Sequence, residues 1–285
     1  MKIQTTTIFH ILIAAALAVP ASGQEVTMPV PTIQAFLEAD RPMVIAHRGF
    51  SGQAPENTLV AIEKAIELGA DMVEIDVTLT ADGHVVVIHD ETLERTTDGS
   101  GPVLETSLEA MQLLDAGSWF DERFAGEKVP TLSQVLELVK DRILLNVEIK
   151  HEAVTDQAEG GIAQKVDELV RGHGLETAVI VSSFDPRPLA HLRELGSALV
   201  TASLYAKQLH GGMKPSEVIA QVGATAFNVG GRHIDEAMLA DAHRHGIPVS
   251  VYTINETADM KRLLDHGVRA LFTDHPDRML TLLGR

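Results

Sequence analysis

The stretch DMVEIDVTLTADGHVVVIHD, residues 71–90, holds two β-rich runs with only Ala81-Asp82-Gly83 between them. Parallel neighbours in a sheet need a crossover of a dozen residues or more, whereas an Asp-Gly turn joins antiparallel strands. The spacing therefore predicts a hairpin over residues 78–89 that grows out of a strand at 71–77. With the turn centred on Asp82-Gly83, position 77 pairs near 87, position 79 near 85 and position 75 near 89.

The rest of the chain alternates short β-rich runs with longer segments of helical period. With the hairpin set aside, eight runs qualify as parallel strands, at 43–49, 71–77, 143–149, 177–183, 198–204, 224–230, 248–254 and 270–273. This count predicts an α/β fold, the (β/α)₈ TIM barrel, with the hairpin as an extension after strand 2 and the stretch from Thr96 to Lys128 as a short insertion over the C-terminal ends of the strands. An open doubly wound sheet is the alternative, but the turn HRGFSGQ after the first strand lacks its glycine-rich phosphate fingerprint.

The helical segments carry signals at both ends. A helix is predicted to begin at Thr58 with Asn57 as its N-cap, because an Asn side chain can accept a hydrogen bond from the free backbone N–H groups there. Several segments close with a glycine that suits the left-handed conformation after a helix, namely Gly69, Gly196, Gly246 and Gly267.

The N-terminus has the layout of a secretory signal peptide. Lys2 precedes an apolar stretch at 8–19, and small residues lead to a cleavage site after Gly23. A membrane anchor is the alternative, but a spanning helix needs about 20 apolar residues. We therefore expect a signal peptide at 1–23, an N-terminal leader at 24–41 with a helix at 32–39, and a barrel domain at 42–285. The protein is expected to be periplasmic or secreted, without stable membrane anchoring.

The charge of the chain restricts its partners. The 23 basic and 40 acidic side chains give the 285 residues a formal net charge of −17. Such a surface repels nucleic acid and anionic lipid headgroups, so neither is expected as a partner. An anionic substrate must be held by a local cationic centre. The chain has no cysteine, so the exported protein would fold without disulfides.

Polar residues interrupt the apolar strands at the ends where a barrel places its active site. Period-two alternation puts Glu74 and Asp76 on one face of the second strand and groups Glu148 with Lys150 on the third. Because the apolar faces must meet the helices, the acids point into the barrel. Three inward carboxylates repel each other unless a cation binds them, and oxygen ligands suit one divalent Ca²⁺ or Mg²⁺ ion. The alternative is a pair of interior ion pairs, Glu148–Lys150 and Glu74–Arg48.

The hairpin delivers a histidine to the same rim. Its returning strand brings His89 beside Glu74 and Asp76, while His47 follows the apolar part of the first strand. Both imidazoles titrate near neutral pH, so one can deprotonate a nucleophile while the other protonates a leaving group.

An ordered series of short motifs resembles the glycerophosphodiester phosphodiesterase family, relatives of bacterial phosphatidylinositol phospholipase C. The match extends from His47 to Pro276. It comprises HRG at 47–49, PENT at 55–58, EIDV at 74–77, DG at 82–83, HD at 89–90, LERTTDG at 93–99, GSWF at 117–120, VPTL at 129–132, VEIK at 147–150, SSF at 182–184 and TDHP at 273–276.

The resemblance implies metal-dependent hydrolysis of glycerophosphodiesters to glycerol 3-phosphate and an alcohol. It implies His47 and His89 as the acid–base pair and Arg48 and Lys150 as phosphate-binding cations. The metal ligands would be Glu74, Asp76 and Glu148.

Two aromatic residues fall where the family binds substrate. Trp119 corresponds to an aromatic residue that flanks the substrate, although core packing is an equal alternative for it. Tyr252 stands where Trp is common, and Arg269 replaces a commonly acidic residue, so the alcohol preference is left open. The alternative functions are a lysophospholipase D-type activity on lipids and an exported protein that binds phosphodiesters without cleaving them.

Overall fold

The computed structural model describes residues 31–285. The predicted signal peptide and the leader as far as residue 30 lie outside the described residues. Between residues 31 and 285, no helix combines the length and the apolar character needed to cross a membrane.

The described chain forms a closed parallel barrel, which confirms the (β/α)₈ prediction. The strands are β1 (Met43–Ala46), β2 (Met72–Leu79), β3 (Val85–Val87), β4 (Leu144–Ile149), β5 (Val179–Ser183), β6 (Val200–Tyr205), β7 (Ala226–Gly230), β8 (Val249–Tyr252) and β9 (Ala270–Thr273). The order around the barrel is β1-β9-β8-β7-β6-β5-β4-β2, and pairing of β1 with β2 closes it. All of these pairs are parallel. Only β3 is antiparallel to its neighbour.

Helices connect the strands and cover the outside of the barrel. They are α1 (Ile33–Leu37), α2 (Leu59–Leu68), α3 (Leu108–Met111), α4 (Leu132–Val139), α5 (Ile162–His173), α6 (Pro186–Glu194), α7 (Lys207–His210), α8 (Pro215–Val222), α9 (Glu236–His245), α10 (Thr257–Asp265) and α11 (Pro276–Leu283). Short 3₁₀ turns lie at Val103–Glu105, Glu122–Phe124 and His151–Ala153. The predicted glycines at 69, 196, 246 and 267 all have positive φ angles.

The predicted N-cap of α2 is wrong by one residue. Thr58 caps the helix, and its Oγ1 accepts a hydrogen bond of 3.3 Å from the Ala61 N–H. Asn57 has a φ of 60°. Its side-chain amide donates to Asp76 Oδ2 at 2.9 Å, so the side chain binds a residue of the barrel interior and does not cap the helix.

The hairpin has the predicted register. Val77 pairs with Val87 and Leu79 with Val85, and the ladder continues with a 3.0 Å bond from the Ile88 N–H to the Asp76 carbonyl. β1 pairs only with the start of β2, through Ile45 and Ala46. The edge of β2 above this point is therefore free for β3. The insertion at 96–128 contributes Val103, Met111 and Ala116 to a small core that includes residues of the hairpin's returning arm.

Alternation along the strands separates two cores. The outward apolar residues of β2 and β4 join a cluster with residues of α2, α4 and α5. The inward residues at the start of the strands form a second apolar cluster, which Ile33 and Phe36 of α1 complete. Because the Ile33 N–H donates to the Thr177 carbonyl just ahead of β5, α1 closes the end of the barrel where the strands begin. The leader helix is therefore a plug for the barrel.

The C-terminal residue returns to the same closed end. Arg285 binds Asp71, the residue before β2, at 2.8 Å. Asp71 also pairs with Arg41 at 2.8 Å and accepts a bond from the Val44 N–H. Both ends of the described chain are thus fixed to the barrel end away from the C-terminal ends of the strands. Those C-terminal ends surround the open mouth.

Candidate active site

A tight turn after β1 places His47 and Arg48 at the mouth of the barrel. The strand ends at Ala46, earlier than the predicted residue 49, and the chain reverses with φ of 56° at Arg48 and 80° at Gly49. A Cβ at position 49 would lie 2.6 Å from the carbonyl carbon of Ala61 in α2, so the turn requires glycine. A non-glycine residue at positive φ is strained, and Arg48 tolerates this in a site held by several other contacts.

An aspartate orients His47. The Nδ1 atom lies 2.6 Å from Asp274 Oδ1. Ser51 and Asn255 also donate to the Asp274 carboxylate, at 3.0 and 2.6 Å. Burial raises the pKa of Asp274, but the bonds from His47 and Asn255 outweigh it and hold that pKa below its usual range. Because this carboxylate is an acceptor, Nδ1 carries a proton and Nε2 is left 4.0 Å from Glu74 Oε2.

His89 is oriented in the same way by its sequence neighbour. Its Nδ1 lies 2.6 Å from Asp90 Oδ1, and Asp90 is held in turn by Arg95 through bonds of 2.6 and 2.9 Å. The hydrogen bonds from Arg95 are the main reason why the pKa of Asp90 is lowered. Burial lowers the pKa of His89, against the opposing charge of Asp76, and this favours the neutral imidazole. Each histidine therefore has one ring nitrogen fixed by a carboxylate.

The three predicted metal ligands form one cluster, in which Glu74 and Asp76 are buried and Glu148 is partly buried. Glu74, Asp76 and Glu148 each offer a carboxylate oxygen, and these oxygens all lie within 4.8 Å of one another. Burial, then the charges of Asp76 and Glu148, raise the pKa of Glu74 well above its usual range. Burial and Asp76 likewise raise the pKa of Glu148 to about 7. Burial also acts on Asp76, but Arg48 and Lys150 outweigh it and bring its pKa to about 2.

This donor set fits a divalent cation. The carboxylates are hard oxygen ligands, and burial first and the neighbouring carboxylates second raise the pKa of Glu74 and of Glu148, both of which a bound cation would offset. A second group, formed by Glu91, His151 and Glu152, also brings one possible ligand atom from each residue within 4.8 Å of the others. Glu91 and His151 are exposed, so they can be solvated without an ion.

Two interior ion pairs were considered as the alternative to a metal site. The Glu148–Lys150 pair is present, but the Arg48 side chain does not pair with Glu74. Lys150 Nζ lies 3.2 Å from Glu148 and 3.5 Å from Asp76. The Arg48 guanidinium, however, binds Glu56 at 2.7 Å and approaches Asp76 to 3.2 Å. Only the backbone N–H of Arg48 binds Glu74, at 2.9 Å. Arg48 Nε is buried and makes no hydrogen bond within the described part of the chain.

A chain of charged contacts joins Arg48 to His89. Glu56 accepts from Arg48 and also receives two bonds of 2.8 Å from Arg95. Arg95 binds Asp90, which orients His89. The turn after β1 and the segment after β3 are therefore held in one network, whose two arginines each bridge two carboxylates.

A cavity of about 160 Å³ gathers most of the predicted site residues. Its walls include His47, Arg48, Glu74, His89, Glu148 and Tyr252. Asp76 and Lys150 lie outside this lining but contact it through Arg48 and Glu148. The Tyr252 hydroxyl donates to the Tyr205 carbonyl at 2.8 Å, which leaves the ring to face the cavity.

Trp119 is not among the residues that line this cavity. Its Nε1–H donates to the Ala116 carbonyl at 2.9 Å, and its ring meets Phe120 edge to face at 5.7 Å. The side chain is 38% exposed, so it does not belong to a packed core either. Its role as a substrate-flanking residue stays a prediction.

Sequence reasoning missed the residues that orient the site. Asp274, Asp90, Glu56 and Arg95 all lie inside the motifs TDHP, HD, PENT and LERTTDG, but no role was assigned to them. For Asp90 a signal existed, because a carboxylate next to a candidate catalytic histidine can fix its tautomer.

The fold and the site define a TIM-barrel enzyme with a paired-histidine mouth. The model of the glycerophosphoryl diester phosphodiesterase family matches residues 47–278. The chain belongs to this family, as the motifs implied, and is an enzyme of the phosphoric diester hydrolase class.

Relatives from several bacteria cover nearly the same residues. A glycerophosphodiester phosphodiesterase of Caldanaerobacter subterraneus is 38% identical over 244 residues, which are 85% of this chain and 98% of that protein. One from Bacillus subtilis is 34% identical over 255 residues, or 85% of this chain and 86% of that protein. Among solved structures, a phosphodiesterase of Oleispira antarctica in complex with the product sn-glycerol-3-phosphate has a TM-score of 0.79 and 32% identity, and the match covers 86% of this chain and 98% of that one.

Proposed function

We propose that the chain hydrolyses glycerophosphodiesters to glycerol 3-phosphate and an alcohol, with the help of one divalent cation. The observation that carries the proposal is the cavity in which two carboxylate-oriented histidines meet a cluster of three acids. The relatives named for this activity support it, as does the Oleispira enzyme solved with glycerol 3-phosphate.

His47 and His89 act as the acid–base pair. Asp274 and Asp90 each fix an Nδ1 atom, so the Nε2 atoms are available to the substrate. One imidazole takes the proton of the attacking hydroxyl while the other protonates the alcohol oxygen as the P–O bond breaks. The attacking group is either water, which gives glycerol 3-phosphate directly, or the glycerol 2-hydroxyl, which gives a cyclic phosphate that water then opens.

Arg48 and Lys150 offset the charge of the phosphate. Arg48 lines the cavity, and its guanidinium, which also pairs with Glu56 and Asp76, has the planar fork that suits phosphate oxygens. Burial lowers the pKa of Lys150, but Glu148 and Asp76 outweigh this and raise it above its usual range, so the ammonium group stays charged. The two cations therefore persist across the working pH range.

Glu74, Asp76 and Glu148 hold the cation, either Ca²⁺ or Mg²⁺. When bound, such an ion supplies positive charge that stabilises the phosphate oxygens in the transition state. The three carboxylates would hold the ion, and Asn57 fixes Asp76 through its amide. Tyr252 and Trp119 are proposed to contact the organic part of the substrate.

The direct test is release of glycerol 3-phosphate from a panel of glycerophosphocholine, glycerophosphoethanolamine, glycerophosphoglycerol and glycerophosphoinositol. We expect release from at least one substrate, its loss in EDTA and its return with added Ca²⁺ or Mg²⁺. Release undiminished by EDTA would remove the metal from the mechanism. Tight binding of these compounds without cleavage would instead favour a binding protein, and cleavage of lysophospholipids alone would favour a lysophospholipase D.

We also propose that the protein works outside the cytoplasm, on the strength of the signal-peptide layout of residues 1–23. After expression in a Gram-negative host, the mature chain is expected in the periplasmic fraction with Gln24 as its first residue. N-terminal mass spectrometry of that fraction checks this. An intact Met1 on soluble cytoplasmic protein would contradict the proposal.

A further inference from the structure

A second cavity adjoins the catalytic one and is larger. It has a volume of about 740 Å³ and shares Phe184, Tyr252 and Thr253 with the catalytic cavity of about 160 Å³. It opens at the C-terminal ends of β6, β7 and β8 and extends to the side chain of Arg262 in α10. The two cavities are therefore neighbours at the mouth of the barrel and meet at these three residues.

The loop after β7 gives this cavity its charge. Gly231 packs so closely that a Cβ there would lie 2.4 Å from Ile254 Cδ1, and its N–H donates to the Tyr252 carbonyl at 2.8 Å. These contacts fix the next two residues, Arg232 and His233, along the wall of the cavity. The loop is thus held against the loop that follows β8.

The charged groups of the cavity are mostly cationic. Arg262 is paired with Asp259 at 3.0 Å. Arg232 is exposed and has no ion-pair partner in the part of the chain that the structure describes. Because Asp259 neutralises Arg262, Arg232 leaves this cavity with a net positive charge in a chain whose net charge is −17, and that charge attracts anions.

We propose that the second cavity binds the alcohol of the substrate and selects alcohols that carry an anionic group of their own, such as a second phosphate. The inference rests on the proposed function, because it needs a phosphodiester in the catalytic cavity. Glycerol is uncharged and offers the arginines nothing to pair with, whereas a phosphate matches the planar fork of Arg232. An alcohol that bears a quaternary ammonium group meets like charge here.

The aromatic side chains of this cavity could instead favour an alcohol that carries a quaternary ammonium group. Phe184, Tyr205 and Tyr252 line the same cavity, and aromatic faces attract quaternary ammonium groups. However, Phe184 and Tyr252 contact each other edge to face at 6.0 Å, and Tyr205 contacts His233 in the same manner at 6.1 Å. Parts of these rings are therefore already covered, and the unpaired cation Arg232 decides in favour of an anion.

Two pairs of substrates test the inference, because the members of the first pair differ by one phosphate and those of the second pair by one glycerophosphate group. The first pair is glycerophosphoinositol and glycerophosphoinositol 4-phosphate. The second pair is glycerophosphoglycerol and bis(glycerophospho)glycerol. We expect the more highly phosphorylated member of at least one pair to have a kcat/KM about fivefold higher, mainly through KM, which corresponds to about 1 kcal/mol from a charge-assisted bond to an exposed arginine. Raising the salt concentration should reduce the ratio.

Arg232→Ala should bring that ratio close to one, and Arg244→Ala is the matched control. Arg244 is also exposed and lies at the end of α9, on the closed side of the barrel, so its removal changes the net charge equally. A wild-type ratio near one in both pairs would overturn the inference, as would an unchanged ratio in Arg232→Ala or a preference for glycerophosphocholine. If no member of the panel is hydrolysed, the proposed function fails and the inference fails with it.

Discussion

Replacement of His47 or His89 by alanine is expected to lower kcat about 10²–10⁴-fold, the usual cost of losing a general acid or base. The KM should change far less, because the proposed phosphate ligands Arg48 and Lys150 are retained in both variants. Both variants should fold and bind metal, since neither side chain is fully buried and neither belongs to the acidic cluster. Glycerol 3-phosphate release under saturating substrate measures the effect. The control is His243→Ala, an exposed histidine in the last turn of α9 at the closed end of the barrel.

The double variant should be little slower than the slower single variant, because the two histidines serve one proton-transfer cycle and their losses do not add. The wild-type rate should follow a bell-shaped pH profile whose limbs belong to the pair and not to either residue. Since burial lowers the pKa of His89, its neutral form should persist below the ordinary range for histidine. Full activity in either single variant would exclude that histidine from the mechanism.

Glu74→Gln is expected to abolish metal binding and activity together while the fold remains intact. Glutamine keeps an oxygen that can accept the bond from the Arg48 N–H, but it removes one of the three charges that attract the cation. Metal-free Glu74→Gln should be at least as stable as the metal-free wild type, because one buried, repelling carboxylate is gone. Calorimetry with Ca²⁺ and Mg²⁺ measures the affinity, and thermal unfolding measures the stability.

Added metal should also affect the thermal unfolding of the wild type and of Glu74→Gln differently. A ligand at 100 times its Kd stabilises the folded state by about 2.7 kcal/mol, so added metal should raise the Tm of the wild type and not that of Glu74→Gln. The control is Glu91→Gln, which removes the same charge from the exposed acidic group. If Glu74→Gln keeps the wild-type affinity for both ions, the assignment of the cluster as the metal site is wrong.

The hairpin and the barrel could be predicted because their signals are local. The short turn Ala81-Asp82-Gly83 fixes the register of the strands on either side, and Val77 opposite Val87 follows from it. The acidic cluster follows from alternation, because parallel strands end on the same side of a barrel and side chains two residues apart share a face. These two regularities were sufficient to bring His89, Glu74 and Glu148 to one cavity.

The support of the site could not be predicted because it depends on long-range contacts. Asn57 looked like a helix cap, but its amide binds Asp76, 19 residues away. Glu56 bridges Arg48 and Arg95, and Arg95 lies 39 residues after Glu56 in the sequence. No periodic pattern predicts such a bridge. A sequence pattern indicates which face a side chain occupies. It does not indicate which of several nearby carboxylates a guanidinium will choose.

The closure of the barrel by α1, together with the return of Arg285 to Asp71, matters for handling the enzyme on a solid support. Because both ends of the described chain lie at the floor of the barrel, a linker fused ahead of α1 or after Arg285 leaves from the side away from the two cavities. Beads or electrodes coupled through either linker would carry the enzyme with its mouth turned to the flowing solution. Coupling through surface lysines offers no such orientation, since the lysines are spread along the sequence and Lys150 lies within the site itself.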